Sequence, residues 1–303
     1  MEPTPAEIPT DYQPPIDHPL YPTKLEWRIF SPSGTGPWPA VIILHIGEFK
    51  GGGYYDGLPA RIAQEFADAG FYAAVASYPL APPNLIKGQP DHSHASSGRP
   101  PQQTDSVKAL IKAMRDDTLH CNGQVGVLGG SAGGSHAVFV AIDQTNTGND
   151  WPFWNGEARP NFVASLSGPY DLSDRTDDPQ NVGFVRNCEN YTNSAVPSYQ
   201  WQNSAVGQLT TTNTDIKPIY AISSEGDSMP ASQQWDLFNA FYQKGVSSNM
   251  YKMWIIPDNP SHAFSYWEDP ILDTLPLSAG WLVKNRVIGF FQYFLQQQGH
   301  SHF

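Results

Sequence analysis

From Leu25 onward, short apolar runs alternate with longer segments whose apolar residues recur with a helical period. Apolar runs bounded by turn-forming residues predict buried strands, and helical segments between them predict crossover connections. The predicted strands are Trp27 to Phe30, Ala40 to His45, Tyr72 to Tyr78, Gln124 to Leu128, Phe162 to Ser167, Pro218 to Ser223 and Met250 to Ile256. This order predicts an α/β fold with a mostly parallel central sheet flanked by helices.

The clearest helix is predicted over Asp105 to Arg115, because its apolar residues recur at the spacing of one helix face. The remaining predicted helices are Leu58 to Ala69, Ala132 to Asp143, Ala231 to Gln243 and Trp281 to Gln297. Each follows a predicted strand, as the crossover pattern requires.

The pattern predicts one large domain, residues 25–303, preceded by an irregular N-terminal arm, residues 1–24, that is rich in proline. Two stretches interrupt the alternation of strands and helices, residues 82–101 and residues 172–213. The second is rich in Asn, Ser, Thr and aromatic residues. It is predicted to form a cap or lid, because long insertions in α/β enzymes lie at the carboxyl ends of strands, where ligands bind.

The charge balance is acidic, with 17 Lys and Arg against 29 Asp and Glu, a formal net charge of -12. No basic run interrupts it, so neither nucleic acid nor an anionic membrane surface is expected as a partner. No apolar run approaches the roughly 20 residues of a membrane span. We therefore expect a soluble protein that acts on a small molecule. The chain shows no signal-peptide pattern, and a cytoplasmic location, secretion with a removed leader, and the oligomeric state all stay open.

The two cysteines, Cys121 and Cys188, lie outside any C-x-x-C pair, which excludes a zinc ribbon or a thioredoxin-type motif. Two isolated thiols are expected, with a disulfide between them as the alternative. The segments His92 to His94 and His300 to His302 lack carboxylate or cysteine partners at ligand spacing, so no metal is expected. No cofactor is expected either.

A G-x-S-x-G pattern follows a predicted buried strand and precedes a predicted helix, in the segment Gly129 to Gly134. Such a turn presents its serine, here Ser131, above the sheet, with the N–H of Ala132 and the helix N-terminus directed at a developing negative charge. The alternative is a phosphate-binding turn at the same junction. Because no lysine follows as in a P-loop, and no G-x-G-x-x-G spacing occurs, we interpret Ser131 as a nucleophile.

A serine nucleophile needs a histidine base and a carboxylate that fixes the histidine tautomer. In strand–elbow–helix hydrolases the order along the chain is serine, acid, histidine. His262 lies in a loop beyond the last predicted strand, and the other later histidines lie in the helix after Ser131 or in the terminal tail. Asp227 follows the preceding strand and is the predicted acid, with Glu225 and Asp258 as competitors.

These segments resemble the α/β-hydrolase superfamily, and within it the hormone-sensitive-lipase-like and carboxylesterase groups. Gly129 to Gly134 is similar to their G-D-S-A-G-G elbow, with Gly130 in place of the acid. Tyr78 to Pro82 resembles Y-R-L-A-P, and Ser261 to Phe264 resembles the G-H-A-F loop of the catalytic histidine. The resemblance covers most of residues 25–298. It implies a serine esterase of the α/β-hydrolase fold, with an acyl-enzyme intermediate and no cofactor.

The main departure from these groups is the loop His45 to Phe49, which stands where they have H-G-G-G-W. By this resemblance, the oxyanion donors are the backbone N–H groups of Gly47 and Glu48, together with that of Ala132. His45 is structural in those groups. From the sequence alone, the glycines of this loop also fit a plain turn or a hinge.

A carboxylic ester, such as a plant-wall or xenobiotic ester, is the expected substrate. Phe49, Tyr170 and Trp201 are predicted to contact it, since aromatic residues suit an aromatic or sugar-linked ester, although they serve equally well as core. A peptidase or amidase using the same triad is the first alternative. A noncatalytic binding protein of the same fold is the second.

Overall fold

The computed structural model describes residues 16–17, 24–81, 98–142, 158–175, 182–211, 216–267 and 283–299. Its strands are β1 (Ile16–Asp17), β2 (Lys24–Leu25), β3 (Trp27–Phe30), β4 (Trp38–Leu44), β5 (Tyr72–Ala76), β6 (Cys121–Gly130), β7 (Phe162–Leu166), β8 (Ile219–Ser224) and β9 (Tyr251–Ile256). Its helices are α1 (Gly57–Asp68), α2 (Gln102–Asp116), α3 (Ala132–Ile142), α4 (Val182–Thr192), α5 (Pro197–Gln202), α6 (Ala205–Thr211), α7 (Ser232–Lys244) and α8 (Val283–Gly299), with a 3-10 helix at Ala263–Trp267.

Seven strands form one sheet in the order β3-β5-β4-β6-β7-β8-β9. β3 pairs antiparallel with β5, and every other pair is parallel. All seven predicted strands and the five predicted helices are confirmed. Because β6 lies in the middle of the sheet, the turn at its carboxyl end opens at the centre of the edge where parallel strands carry their ligands.

Strand β4 shows why the sheet is covered on both faces. Val41 and Ile43 share one buried layer with residues of α1 and α8, whereas Ile42 and Leu44 share the opposite layer with residues of α2 and α3. Successive side chains of a strand point to opposite faces. All four side chains are completely buried. Burying one such side chain stabilises a protein by about 1.5–3 kcal/mol, so the two layers hold in place the strands that end at the site.

The described part of residues 172–213 forms three helices, α4, α5 and α6; residues 176–181 and 212–213 of this stretch lie outside the described chain. Helix α6 packs on α3 and α7, and α4 packs on α5. On α4, Cys188 and Tyr191 pack with Phe49 of the loop after β4. Helix α4 therefore packs on the loop that follows β4; that the whole stretch forms a cap stays a prediction.

Two other irregular predictions fall largely outside the described residues. Of the stretch 82–101, residues 82–97 lie outside. Of the N-terminal arm, the structure describes Ile16–Asp17 and Lys24, and Ile16–Asp17 pairs antiparallel with Lys24–Leu25. This short pairing is a regular element that the proline-rich sequence does not predict.

Within the described ranges, none of the helices combines the length and the apolar character needed to cross a membrane.

Candidate active site

Ser131 occupies a tight turn between β6 and α3. Its φ of 51° is left-handed, which is uncommon for a residue with a side chain and typical of a strained functional turn. Its N–H donates to the carbonyl of Leu166 at 2.8 Å, which ties the turn to β7. A Cβ at Gly133 would lie 2.6 Å from the carbonyl oxygens of Leu44 and His45. Only glycine therefore lets the start of α3 approach β4 this closely.

His262 and Asp227 form a hydrogen-bonded pair beyond the ends of β9 and β8. His262 Nδ1 lies 2.6 Å from Asp227 Oδ1, and the Asp227 side chain is 0% exposed whereas that of His262 is 29% exposed. The competing carboxylates are placed otherwise, since Glu225 and Asp258 are exposed and Glu225 accepts the Asp258 N–H. Asp227 is thus the carboxylate that contacts His262.

The surroundings of Asp227 favour its ionised form. Burial raises the pKa of this carboxyl, but the hydrogen bond and charge of His262 lower it, as do hydrogen bonds from the Met229 N–H and the Ser167 hydroxyl. The net result is a pKa below the usual value. The carboxylate is therefore charged at neutral pH and orients the His262 Nδ1–H toward itself.

Ser131 and His262 line one cavity of about 190 Å³. The full lining is Glu48, Phe49, Ser131, Ala132, Pro169, Gly183, Phe184, Asn187, Cys188, Ser228, Met229 and His262. Both side chains belong to the described residues, and no direct hydrogen bond joins Ser131 to His262 there; such bonds often tighten only when substrate binds. The arrangement brings a serine hydroxyl and a carboxylate-held imidazole to the same small space.

The loop after β4 has an unusual backbone. Gly47, Glu48 and Phe49 have φ values of 132°, 58° and 65°. The Gly47 carbonyl accepts the N–H groups of Lys50 and Gly51 at 2.9 and 2.8 Å, and a Cβ at Gly47 would overlap Gly51. The loop is therefore a closed turn rather than an open hinge. Glu48 and Ala132 line the cavity with Ser131, and Gly47 directly precedes Glu48.

Contacts with helix α4 hold this loop in place. Lys50 Nζ lies 2.7 Å from Glu48 Oε2 and donates to Asn187 Oδ1 of α4 at 2.7 Å. Phe49 stacks on Tyr191 of α4 with ring centroids 4.1 Å apart. The loop that would supply oxyanion donors is thereby attached to α4 through one polar and one aromatic contact.

Two buried histidines, one at the start of this loop and one on α3, pack against its aromatic neighbours. His45 stacks on Tyr78 at 4.0 Å, and His136 meets Tyr78 and Phe49 edge-on at 4.8 and 5.5 Å. Burial lowers the pKa of His45 to about 4, partly opposed by its bond to the Ile46 carbonyl. Burial, with the nearby His45, lowers the pKa of His136 to about 3. Both rings are neutral at neutral pH and serve packing, in line with the structural role expected for His45.

Of the three predicted substrate contacts, Phe49 lines the cavity and the other two do not. Tyr170 is 1% exposed, and its hydroxyl lies 2.7 Å from Ser165 Oγ within the core between β7 and the helices. Trp201 lies on α5 and is half-buried. Tyr170 is therefore a core residue, whereas a contact of Trp201 with substrate stays a prediction.

Four residues of α4 that line the cavity were not predicted from the sequence: Gly183, Phe184, Asn187 and Cys188. No spacing signal marks them, because α4 contacts the cavity through an insertion whose path the sequence does not fix. Met229 and Ser228 also line it. Their position directly after Asp227 was a usable signal.

Cys121 and Cys188 are both buried and free, which agrees with two isolated thiols and not with a bridge. Among the described residues, no group of three or more His, Cys, Asp or Glu side chains could hold a metal. The segments His92 to His94 and His300 to His302 lie outside those residues.

The sheet order, the elbow and the loop positions together define the α/β-hydrolase fold, and solved structures show the same fold. No family model and no curated relative matches the sequence. Esterase B from Lactobacillus rhamnosis is 18% identical, with a TM-score of 0.66 over 97% of this chain and 89% of that chain. A Pyrobaculum calidifontis esterase is 17% identical, with a TM-score of 0.64 over 93% and 85% of the two chains. An acetyl ester-xyloside bifunctional hydrolase from Caldicellulosiruptor lactoaceticus is 18% identical, with a TM-score of 0.62 over 93% of each chain.

Proposed function

We propose that this protein is a carboxylic ester hydrolase that uses Ser131, His262 and Asp227 through an acyl-enzyme intermediate. One observation carries the proposal: the buried, charged Asp227 holds His262 Nδ1 at 2.6 Å, and His262 shares a cavity with Ser131 of the elbow. The esterase and acetyl-ester hydrolase names of the structural neighbours support the same reaction class.

The geometry suits general base catalysis. Asp227 accepts the Nδ1–H of His262, so that Nε2 is the basic nitrogen and takes the Ser131 proton as Oγ attacks the ester carbonyl. The C–O bond to the alcohol then breaks, and His262 returns the proton to the leaving oxygen. Water, deprotonated by the same nitrogen, attacks the acyl-Ser131 ester, which releases the acid and regenerates the serine.

Backbone N–H groups supply the charge stabilisation. Ala132 at the N-terminus of α3 and Glu48 of the strained loop lie on the cavity lining beside Ser131, and Gly47 precedes Glu48. Each such donor is worth about 3 kcal/mol of barrier in comparable sites. Since a backbone donor does not depend on its own side chain, Glu48 can serve in this role although its carboxylate points to Lys50.

The size of the described cavity suits a compact group. A volume of about 190 Å³ is below the roughly 300 Å³ at which sites for drug-sized ligands begin. We therefore assign a compact acyl group to the cavity. The substrate is a small-molecule ester, with no cofactor.

The test is hydrolysis of p-nitrophenyl esters from acetate to palmitate, together with labelling by a fluorophosphonate probe. We expect Ser131→Ala to lower kcat by at least about a thousandfold and to abolish labelling. Ser135→Ala is the matched control, because Ser135 is a buried serine one helical turn later whose hydroxyl has no hydrogen-bond partner among the described residues. Labelling that maps to another serine, or unchanged turnover in Ser131→Ala, would contradict the proposal.

A further inference from the structure

The second oxygen of the Asp227 carboxylate has an environment that the triad alone does not explain. Oδ1 faces His262 and the Met229 N–H. Oδ2 lies 2.5 Å from Ser167 Oγ and 2.7 Å from the Tyr266 hydroxyl, and those two hydroxyl oxygens are 2.6 Å apart. A fully buried carboxylate oxygen is thus satisfied by two side-chain hydroxyls.

A count of hydrogens limits the possible directions of these bonds. An ionised carboxylate has none to give, so each hydroxyl brings one hydrogen to a triangle of three oxygens. Ser167 Oγ already accepts the Ala263 N–H at 3.0 Å, and the other acceptor of Tyr266, Ser224 Oγ, is 3.4 Å away. Burial and the charge of Asp227 both raise the pKa of Tyr266, so its hydrogen is retained. The nearest charged acceptor for these hydroxyls is Asp227 Oδ2.

The backbone is distorted at the points that make this triangle. Ser167, directly after β7, has a φ of 53°, and its N–H donates to Ile222 of β8 at 2.8 Å. Ala263, directly after His262, has a φ of 51° and donates to Ser167 Oγ. Strained backbone persists where the surroundings fix it, and it concentrates at functional sites. The serine thus links the Asp227 turn to the His262 loop.

We infer that Ser167 and Tyr266 are positioning residues that hold Asp227 Oδ2, so that Oδ1 is presented to His262. The inference rests on the proposed function for its catalytic consequence. Hydroxyl donors stabilise a carboxylate anion and lower its affinity for a proton. Without these hydroxyls we expect the Asp227 carboxylate to bind a proton more tightly and the acid limb of the activity profile to lie at higher pH.

The other titratable groups near this triangle are the same in the parent protein and in the variants. Glu225 and Asp258 are exposed at the tips of the same loops, and Glu48 is exposed at the cavity. Tyr170 is buried nearby, and burial raises the pKa of its hydroxyl, so it stays neutral. The variants proposed here change none of these groups.

The first experiment measures kcat/KM against pH for Tyr266→Phe, Ser167→Ala and the double variant. We expect each single variant to lose about tenfold to a hundredfold in kcat/KM, the range of one hydrogen bond to a charged group. The acid limb of the profile should also move to higher pH, and farther in the double variant. Tyr72→Phe is the matched control, because it removes a tyrosine–aspartate hydrogen bond (2.9 Å to Asp117) at the opposite end of the sheet.

The second experiment does not need turnover. The imidazole of His262 is titrated by nitrogen NMR in the Ser131→Ala protein, with and without Tyr266→Phe. An upward shift of the titration in the Tyr266→Phe protein supports the inference even if no ester is hydrolysed, which separates it from the proposed function. A purely structural role would lower thermal stability and leave both the acid limb and the NMR titration where they are in the parent protein. That result would overturn the inference.

Discussion

Mild acid is expected to destabilise this protein through two buried histidines, His45 at the start of the loop after β4 and His136 on α3. Their folded-state pKa values are lowered from 6.5 to about 4 and about 3. In the unfolded chain both regain ordinary values. As the pH falls below about 6.5, both histidines therefore take up protons in the unfolded state but stay neutral in the folded state. The free energy of unfolding decreases as a result.

The magnitude follows from proton linkage. For a histidine that stays neutral in the folded state, the free energy of unfolding drops by about 2 kcal/mol between about pH 7 and about pH 5. The two histidines together account for about 4 kcal/mol, a large part of the 5–15 kcal/mol that is typical of a folded domain. The loss continues until the folded-state pKa values are reached and then stops.

The assay is urea unfolding, followed by tryptophan fluorescence, at about pH 7, 6 and 5. His136→Gln keeps an amide that can bond Gln103 and Thr104 in place of the ring, which bonds them at 2.7 and 3.1 Å. This variant should be less stable at neutral pH but should lose about half of the pH dependence. A His136→Gln protein with the full wild-type dependence would refute the reasoning.

Three further outcomes are expected. Asp227→Asn should lower esterase kcat by about 10⁴-fold, because the histidine tautomer is lost. Glu225→Gln should leave kcat near the wild-type value. The reverse ranking in steady-state kinetics would identify Glu225 as the catalytic acid instead. Gly130→Ala should destabilise the fold by about 1–3 kcal/mol, because the new Cβ would lie 2.9 Å from Ile46. Adding Ile46→Gly should recover part of that loss. Additive effects of the two substitutions in a double-mutant cycle would contradict this coupling. Thiol titration of the denatured, unreduced protein should find two reactive thiols, and none would indicate a bridge.

The sheet could be predicted because its signal is local. Strands such as β4 and β5 are buried on both faces and appear as continuous apolar runs, and the elbow needs glycines at fixed offsets from Ser131. The order of acid and histidine along the chain also follows from the strand order. The strands and the elbow thus depend on residues close together in sequence.

The cavity wall could not be predicted in the same way. Phe184 and Cys188 line it because α4 folds back over the sheet, and an insertion has no periodic relation to the strands it covers. Tyr170 follows β7, as a substrate contact would, but its ring turns into the core to reach Ser165. The contact of Ser167 with Tyr266 joins residues 99 positions apart, and neither residue carries a sequence signal for it.

The attachment of α4 to the loop after β4 bears on how this fold can be re-engineered. Lys50 joins Glu48 to Asn187, and Phe49 stacks on Tyr191. A chimera that exchanges the insertion alone would remove Asn187 and Tyr191, and with them these two contacts of Lys50 and Phe49. We therefore expect a graft of this stretch to need matching residues in the loop after β4.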